Sequence, residues 1–412
     1  MDHPVNCRFC GHSLRHTFVD LGMSPLCQTH IRAEQLNQME PYYPLHAYVC
    51  ERCFLVQLEE FVSPQEIFND YAYFSSFADS WVEHARRYCV QVSERFGIGP
   101  DSRVIEIASN DGYLLQHFVA RSIPVLGIEP SANVAAAASA KGIPTTVKFF
   151  GTRTAGELAD EFGKPDLLLG NNVLAHVPDL NDFVAGMKLL LAEHGVITME
   201  FPHLLELIEQ NQFDTIYHEH FSYFSFTTVR EVFARHGLEV FDVERLPTHG
   251  GSLRIYCKHA DDHSHSLTAR VGELLAVESE AGLQQIATYT AFGERVRETK
   301  RALLAFLIDA KRKGKRIAGY GAPGKGNTLL NYCGIGTDFI DFTVDRNPFK
   351  QGKYTPGMHI PIRHPDELLK AHPDLVLILP WNIKDEILAT VGRTPGLSAQ
   401  FVVPIPRVEV VG

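Results

Sequence analysis

The sequence predicts an α/β protein in three parts: a small zinc-ribbon-like module, then two domains built on mostly parallel sheets. Three observations carry this. Two C-x-x-C pairs stand within the first 53 residues, and strand-like and helical runs alternate from Val82 to Lys258. A second alternation then runs from Lys315 towards the C-terminus. At 412 residues the chain is too long for one core. The expected boundaries are 1–65 for the cysteine module and 66–260 for the first αβ domain. A helical linker and the second αβ domain take up 261–412.

Composition narrows the function classes. Hydrophobic residues make up 45% and charged residues 21%, ordinary values for a soluble globular protein. A formal net charge of −11 argues against a nucleic-acid partner, whose phosphates would call for clustered Lys and Arg. No apolar run is long enough to span a bilayer, and "MDHPVNCRFCGH" lacks the basic start and apolar stretch of a signal peptide. A cytoplasmic monomer is expected. In that reducing compartment, eight cysteines point to metal ligation or free thiols rather than disulfides.

Cys7-Arg-Phe-Cys10 and Cys50-Glu-Arg-Cys53 are two knuckles, each able to turn two thiolates toward one Zn²⁺. The gap between them is longer than the usual finger spacing, as a ribbon with an inserted loop would explain. Four thiolates leave no open coordination position, so the metal is structural rather than catalytic. Cys27 is unpaired by spacing, and Cys89, Cys257 and Cys333 read as core.

The first αβ zone opens with "RVIEIASNDGYLL". A strand ends near Glu106 and passes through Ala108, Ser109, Asn110 and Asp111 to Gly112. The chain then enters a helix through Tyr113 and Leu114. Such a turn exposes backbone N–H groups to a ligand. With one glycine it does not allow the close pyrophosphate approach of a G-x-G-x-x-G turn. One strand later "GIEPS" places Glu129 at a strand end, where its carboxylate can accept from both hydroxyls of a ribose. A third strand ends at Asn171 and Asn172. This order describes a site for an adenosine-bearing, phosphate-free cofactor, S-adenosylmethionine (SAM). The plain alternative is a generic strand–turn–helix.

"IYHEHFSYFS", residues 216–225, sets two histidines around a glutamate in an aromatic wrapping. In an extended segment His218 and His220 share a face and Glu219 points away; in a helix they diverge by about half a turn. The spacing is not the H-E-x-x-H of a zinc enzyme, which leaves an acid/base centre or a hydrogen-bonded knot. Downstream, "THGGSLRIY" carries His249, Ser252 and Arg254, and Gly250-Gly251 permits close backbone approach to a ligand. Arg254 reads as a diphosphate or sugar contact, or as half of a structural ion pair. From Leu267 to Lys311 apolar residues recur at helical spacing, with Gly282 and "ATYTAFG" as breaks. Gly319-Tyr-Gly321-Ala-Pro-Gly324 then follows a strand, and Asp345 ends the next. Alone this would mean an NAD-dependent oxidoreductase. Against that stand the stiffening Pro323, the cation Lys325 directly after the loop, and the cofactor site already present upstream.

Taken together, the cysteine pairs, "DYAYFSS", "EIASNDGYLL", "NNVLAHVPD", "YHEHFSYFS" and "GYGAPGKGNTLLN" resemble the SAM-dependent sugar C-methyltransferases of deoxysugar biosynthesis. The resemblance covers nearly the whole chain, with Ala108 where that family more often has glycine. It implies a zinc module, a Rossmann-like SAM methyltransferase domain and a second Rossmann-like, substrate-binding C-terminal domain. It implies methyl transfer to a ring carbon, C3 favoured over C5, of a nucleotide-linked 4-keto-6-deoxysugar through an enolate. Tyr217, Glu219 and His220 fall at the family's active-site positions, as do Tyr71 and His176. His220 is the favoured base, with Tyr217 donating to the enolate or relaying the proton, while His176 could equally be a satisfied strand-end histidine. Lys325, Asn327, Asp345, Lys353, Trp381 and Asn382 are then candidate contacts for the sugar nucleotide. A binding scaffold that has lost catalysis is the remaining rival, and the intact "YHEHF" and "SNDGYLL" speak against it.

Overall fold

The structure, a computed structural model, describes residues 5–68, 74–392 and 395–411. It is α/β as expected, and it divides into two compact units. The first comprises Met1–Arg15, Cys50–Leu205 and Glu219–Gln284; the second comprises His16–Val49, Glu206–His218 and Gln285–Gly412. The chain therefore crosses from one unit to the other between His218 and Glu219, inside the histidine-bearing segment.

The first unit is built on a seven-stranded sheet in the order Leu238–Leu246, Ser252–His259, Val196–Pro202, Leu167–Asn171, Val104–Ile107, Val125–Ile128, Thr145–Thr146. Its last five strands in that order are parallel, and the two at the other edge are antiparallel. Every residue of Val104–Ile107 is buried, as a strand covered on both faces by helices requires. On one side of it the next strand in sequence pairs with it, and on the other side a later one does. The strand order thus reverses here, which is where open α/β sheets hold their ligands, beyond the carboxyl ends of the strands. Helix Asp79–Phe96 packs one face through Trp81, Ala85, Tyr88, Cys89 and Val92. It ends at Gly97, whose φ of +65° closes the helix in the left-handed conformation that glycine accepts without strain.

The four paired cysteines belong to this unit, although His16–Val49 between the pairs falls in the second. After each cysteine pair the backbone turns back on itself: Gly11 N–H donates to Cys7 O and Phe54 N–H to Cys50 O, both at 2.9 Å. Gly11 and Phe54 occupy equivalent left-handed positions, φ +72° and +58°. The strand Val56–Leu58 leaves the second knuckle and pairs antiparallel with Ser222–Tyr223.

The second unit has a six-stranded sheet in the order Ile362–Arg363, Phe342–Val344, Ile317–Tyr320, Leu375–Ile378, Gln400–Val403, Glu409–Val411, parallel except at the last pair. The hairpin of His16–Ser24 and Tyr43–Val49 also belongs to this unit but not to that sheet, and Phe18 stacks on Phe292 at 4.6 Å between ring centroids. The helical stretch after Leu267 breaks at both expected places. Ala269–Glu280 ends before Gly282 (φ +77°), and Ile286–Thr290 is parted from Phe292–Arg312 at Ala291. Among the described residues no helix is long and apolar enough to cross a membrane.

Candidate active site

In the first unit the turn after Val104–Ile107 is built from alternating left-handed residues: Ala108 (φ +57°), Asn110 (φ +51°) and Gly112 (φ +76°). An alanine and an asparagine held in this region cost about 1–3 kcal/mol each, strain characteristic of ligand-binding turns. Glu129 fixes the turn from the neighbouring strand, accepting from Asn110 N–H at 3.0 Å and Ser131 N–H at 2.8 Å. Lys141 closes it from below through Asp111 Oδ2 at 3.0 Å. Tyr113 and Leu114 turn into the core, where Tyr113 lies against Trp81 at 5.9 Å. Gly112 has no room for a side chain, because a Cβ there would stand 2.2 Å from Ile143 Cδ1. Gly112→Ala is therefore expected to destabilise the protein by about 3 kcal/mol, combining overpacking with left-handed strain. It should also weaken binding of S-adenosylhomocysteine (SAH) at least tenfold. Thermal melts and calorimetric titration with SAH measure both.

Several buried polar atoms at these strand ends have no hydrogen-bonding partner among the described residues. They are both oxygens of Glu106, Ser109 Oγ, Asp111 Oδ1, Asn171 Nδ2 and Asn172 Oδ1. Leaving such groups unsatisfied costs about 1–3 kcal/mol each, so the arrangement is made for a ligand. Glu106 is fully buried, and burial, reinforced by Glu129 and Asp111, pushes its carboxyl well above the ordinary range. A ligand carrying positive charge and ribose hydroxyls suits three acids so placed, and SAM is such a ligand. In the free protein the raised pKa keeps Glu106 at least partly protonated, whereas a cationic ligand favours its ionised form. Affinity for SAH, which carries an ammonium, should therefore tighten as pH rises. Glu106→Gln should flatten that slope and weaken binding about tenfold, which titrations at several pH values would read.

The histidines separate. The segment is neither extended nor helical but turns at His218–Glu219. His218 stays in the second unit, with Nε2 3.1 Å from Pro44 O and its ring edge-on to Tyr43. In the first unit His220 meets His176, ring centroids 4.6 Å apart and nearly perpendicular at 76°. Both are buried. Burial holds His176 down at about 4, partly countered by a backbone hydrogen bond at Glu219, so it is neutral at physiological pH. The pair is pinned through the backbone: Phe221 N–H donates to Ala175 O at 2.7 Å and Leu58 N–H to Phe221 O at 3.0 Å. Glu219 is buried beside it in sequence. Tyr217 is half-buried in the second unit, and Tyr71 lies outside the described residues.

A second polar group stands on the same sheet, and the sequence reading offered only part of it. Antiparallel pairing sets Arg254 opposite Glu200. The guanidinium lies 2.6 Å from Glu200 Oε2, which His84 also contacts at 2.9 Å, while Thr248 donates to Oε1 at 2.9 Å. Although burial opposes it, these partners pull Glu200 down to about 2. Of the two readings open for Arg254, the ion pair is the one present, and the arginine is 2% exposed. Ser252 donates to Thr248 O at 2.9 Å. His249 Nε2 lies 2.9 Å from Asn172 Nδ2 and its ring is edge-on to Trp81 at 4.8 Å, which places it at the cofactor end of the sheet. Trp81, His84 and Glu200 gave no sequence signal, since their partners lie up to 168 residues away along the chain.

In the second unit the glycines of GYGAPG are filled by protein. A Cβ at Gly319 would meet Thr343 Oγ1 at 2.7 Å, at Gly321 Pro380 Cδ at 2.7 Å, and at Gly324 Cys27 Sγ at 2.9 Å. Asp345, which in a dinucleotide site would face a ribose, here accepts from Ala322 N–H and Asn347 N–H at 2.8 Å. Lys350 donates to Ala322 O at 2.9 Å. Burial and the charges of Lys350 and Lys353 hold His30 down at about 4, against a backbone hydrogen bond at Ala322 and the charge of Asp345. Asn327 donates to Cys27 O at 2.6 Å. Lys325 donates to Asn382 Oδ1 at 2.8 Å and lies 4.8 Å from the centre of the Trp381 ring.

The four module cysteines cluster. Their sulfurs lie within 4.8 Å of one another, with Cys7–Cys53 and Cys10–Cys50 each at 3.6 Å. A tetrahedral Zn²⁺ with Zn–S of about 2.3 Å needs sulfurs about 3.8 Å apart, so the donor set fits a structural zinc. Among the described residues no other His, Cys, Asp or Glu group is placed to hold a metal, which removes the metal reading of HEH.

Comparison with known proteins agrees with this geometry. A domain model described as zinc binding matches residues 7–68, a methyltransferase domain matches 81–243, and a C-methyltransferase C-terminal domain matches 247–406. The chain is 36% identical to C-methyltransferase NovU from Streptomyces niveus, over 99% of this chain and 97% of that protein. Among solved structures, magnesium protoporphyrin IX methyltransferase from Synechocystis PCC 6803 with bound SAH is 16% identical, covering 47% of this chain and 91% of its own, at a TM-score of 0.36. The CcbJ methyltransferase from Streptomyces caelestis is 10% identical, covering 47% and 98%, at a TM-score of 0.37.

Proposed function

We propose a substrate and a proton path for this enzyme from one premise: the chain belongs to the family of SAM-dependent C-methyltransferases. The acceptor is a ring carbon next to the ketone of a nucleotide-linked 4-keto-6-deoxysugar, with C3 as the position first put to the test and C5 as the alternative.

The observation that carries the reading is the packed His176–His220 pair in the unit that holds the turn after Val104–Ile107. Carbon is a poor nucleophile until a proton is removed beside a carbonyl and the resulting enolate is stabilised. His220 takes that proton, since an imidazole titrates near the working pH. His176, kept neutral by burial, faces His220 and holds its ring in place without adding a second positive charge. By the family's pattern Tyr217 donates to the enolate oxygen or relays the proton, and Glu219 is the third residue of that motif. When bound, SAM supplies the electrophilic methyl group, whose bonding electron pair leaves on sulfur as the new C–C bond forms. Glu106, Glu129, Asn171 and Asn172 hold it, and the Tyr113–Trp81 stack forms the wall behind the turn. In the second unit, Lys325, Asn382, Trp381 and Lys353 take the nucleoside diphosphate. The filled glycines and the occupied Asp345 disfavour a dinucleotide in that loop, which weakens the oxidoreductase reading.

The test is incubation with SAM and a panel of nucleotide-linked 4-keto-6-deoxysugars, followed by mass spectrometry and NMR of the product. A gain of one methyl at C3 or C5 is expected. Methylation only at oxygen or nitrogen, or no turnover with any 4-keto sugar, would overturn the substrate assignment.

A further inference from the structure

Within the second unit, Asp214 has no place in any motif, yet it is the best-buried acid there. It sits in the short helix Phe213–Thr215 with no exposed surface. Its Oδ2 accepts from the indole N–H of Trp381 at 2.8 Å, and its Oδ1 has no side-chain partner among the described residues. Lys325 lies over that same indole at 4.8 Å and is tied to Asn382 at 2.8 Å, with further N–H donors left to offer. Lys325 is half-buried as a residue. The helix that carries Lys325 is also joined to the Asp214 segment, since Thr328 Oγ1 donates to Ile216 O at 3.2 Å.

We propose that Asp214 is a positioning residue for the nucleoside-diphosphate site: it fixes the Trp381 indole and, through it and its charge, the Lys325 ammonium that meets the phosphates. This rests on the sugar-nucleotide reading above. A buried carboxylate without a direct cation is costly, and a lysine over an indole face gains a cation–π attraction only while the ring is held. One acid therefore serves both ends of the arrangement. Burial pulls the Lys325 ammonium down and Asp214 opposes that; burial in turn pushes Asp214 up to about 6, with Lys325 pulling it back. The only other titratable group affected by Asp214 among the described shifts is Cys333, on the same helix as Lys325. Near pH 7 Asp214 is mostly ionised and keeps Lys325 charged. Without the carboxylate, Lys325 loses its proton at lower pH, and an anion is then held less well on the alkaline side.

The experiment titrates the full-length protein with UDP, dTDP, GDP and inorganic pyrophosphate across pH 6–10. Calorimetry measures the affinities, that for SAH included, in proteins that keep Trp81, and the fluorescence of Trp381 is followed separately in a Trp81→Phe background. Trp81 and Trp381 are the only two tryptophans. The parent protein should bind at least one nucleoside diphosphate with a change in Trp381 emission. Asp214→Asn keeps an acceptor for the indole. It should bind equally well near neutrality but lose affinity about one pH unit earlier on the alkaline side. Asp214→Ala should lose affinity about tenfold near neutrality and more on the alkaline side, with the emission change gone, while SAH still binds. Both variants titrating like the parent would overturn the positioning role. So would a fall that is the same at every pH in both, since that is what a merely structural acid gives. If the parent bound SAH but none of the four probes, the sugar-nucleotide reading itself would fall and take this inference with it.

Discussion

His220→Ala is expected to lower methyl transfer by about 10³-fold while SAH affinity stays within about twofold of the wild type. The magnitude is that of removing a positioned general base. His220 lies against His176 rather than in the cofactor turn, which is why binding should survive. A second measurement isolates the proton step. With SAH in place of SAM, the 4-keto substrate should exchange its α-hydrogen for deuterium in D₂O, and His220→Ala should stop that exchange. Continued exchange in the variant would take His220 out of the mechanism and move the base to Tyr217.

Loss of zinc should be nearly as damaging, by a different route. One zinc per chain is expected by elemental analysis. Cys50→Ser should abolish retention of the metal and lower the melting temperature by more than about 10 °C, because structural zinc contributes on the order of 10 kcal/mol to folding of such modules. The effect should reach catalysis. The strand leaving the second knuckle supplies the Leu58–Phe221 hydrogen bond, and Phe221 in turn bonds Ala175, next to His176. Arg8 and Asn181 add cross-ties, the first from its guanidinium to Pro178 O at 2.7 Å and the second from its amide to Arg8 O at 3.0 Å. Turnover should fall more than about a hundredfold while SAH binding persists. Full activity in zinc-free protein would show that the module is dispensable to the histidine pair.

What the sequence made legible was whatever is local. The cofactor turn was readable because strand, small residues and acid follow one another within a dozen positions. The metal site was readable because its ligands come in pairs. The His176–His220 contact was not readable from spacing, since it joins positions 44 apart beside the Phe221–Ala175 hydrogen bond; only the family resemblance brought the two together. Arg254 shows the opposite case. Its type and its place after two glycines left a ligand contact and a structural ion pair both open; strand register sets it opposite Glu200, and register between strands cannot be read from either strand alone. Asp214 was invisible for the same reason, with its indole partner 167 positions away.

The passage of the chain from one unit to the other at His218–Glu219 bears on attempts to rebuild the enzyme for new acceptors. A chimera cut once, near residue 285, would exchange the bulk of the second unit but leave its strips at 16–49 and 206–218 with the old parent. Asp214 would then face a foreign Trp381, and Thr328 a foreign Ile216. Grafting all three segments as a set keeps those pairs native, so recombination libraries should treat residues 16–49, 206–218 and 285–412 as a single heritable block.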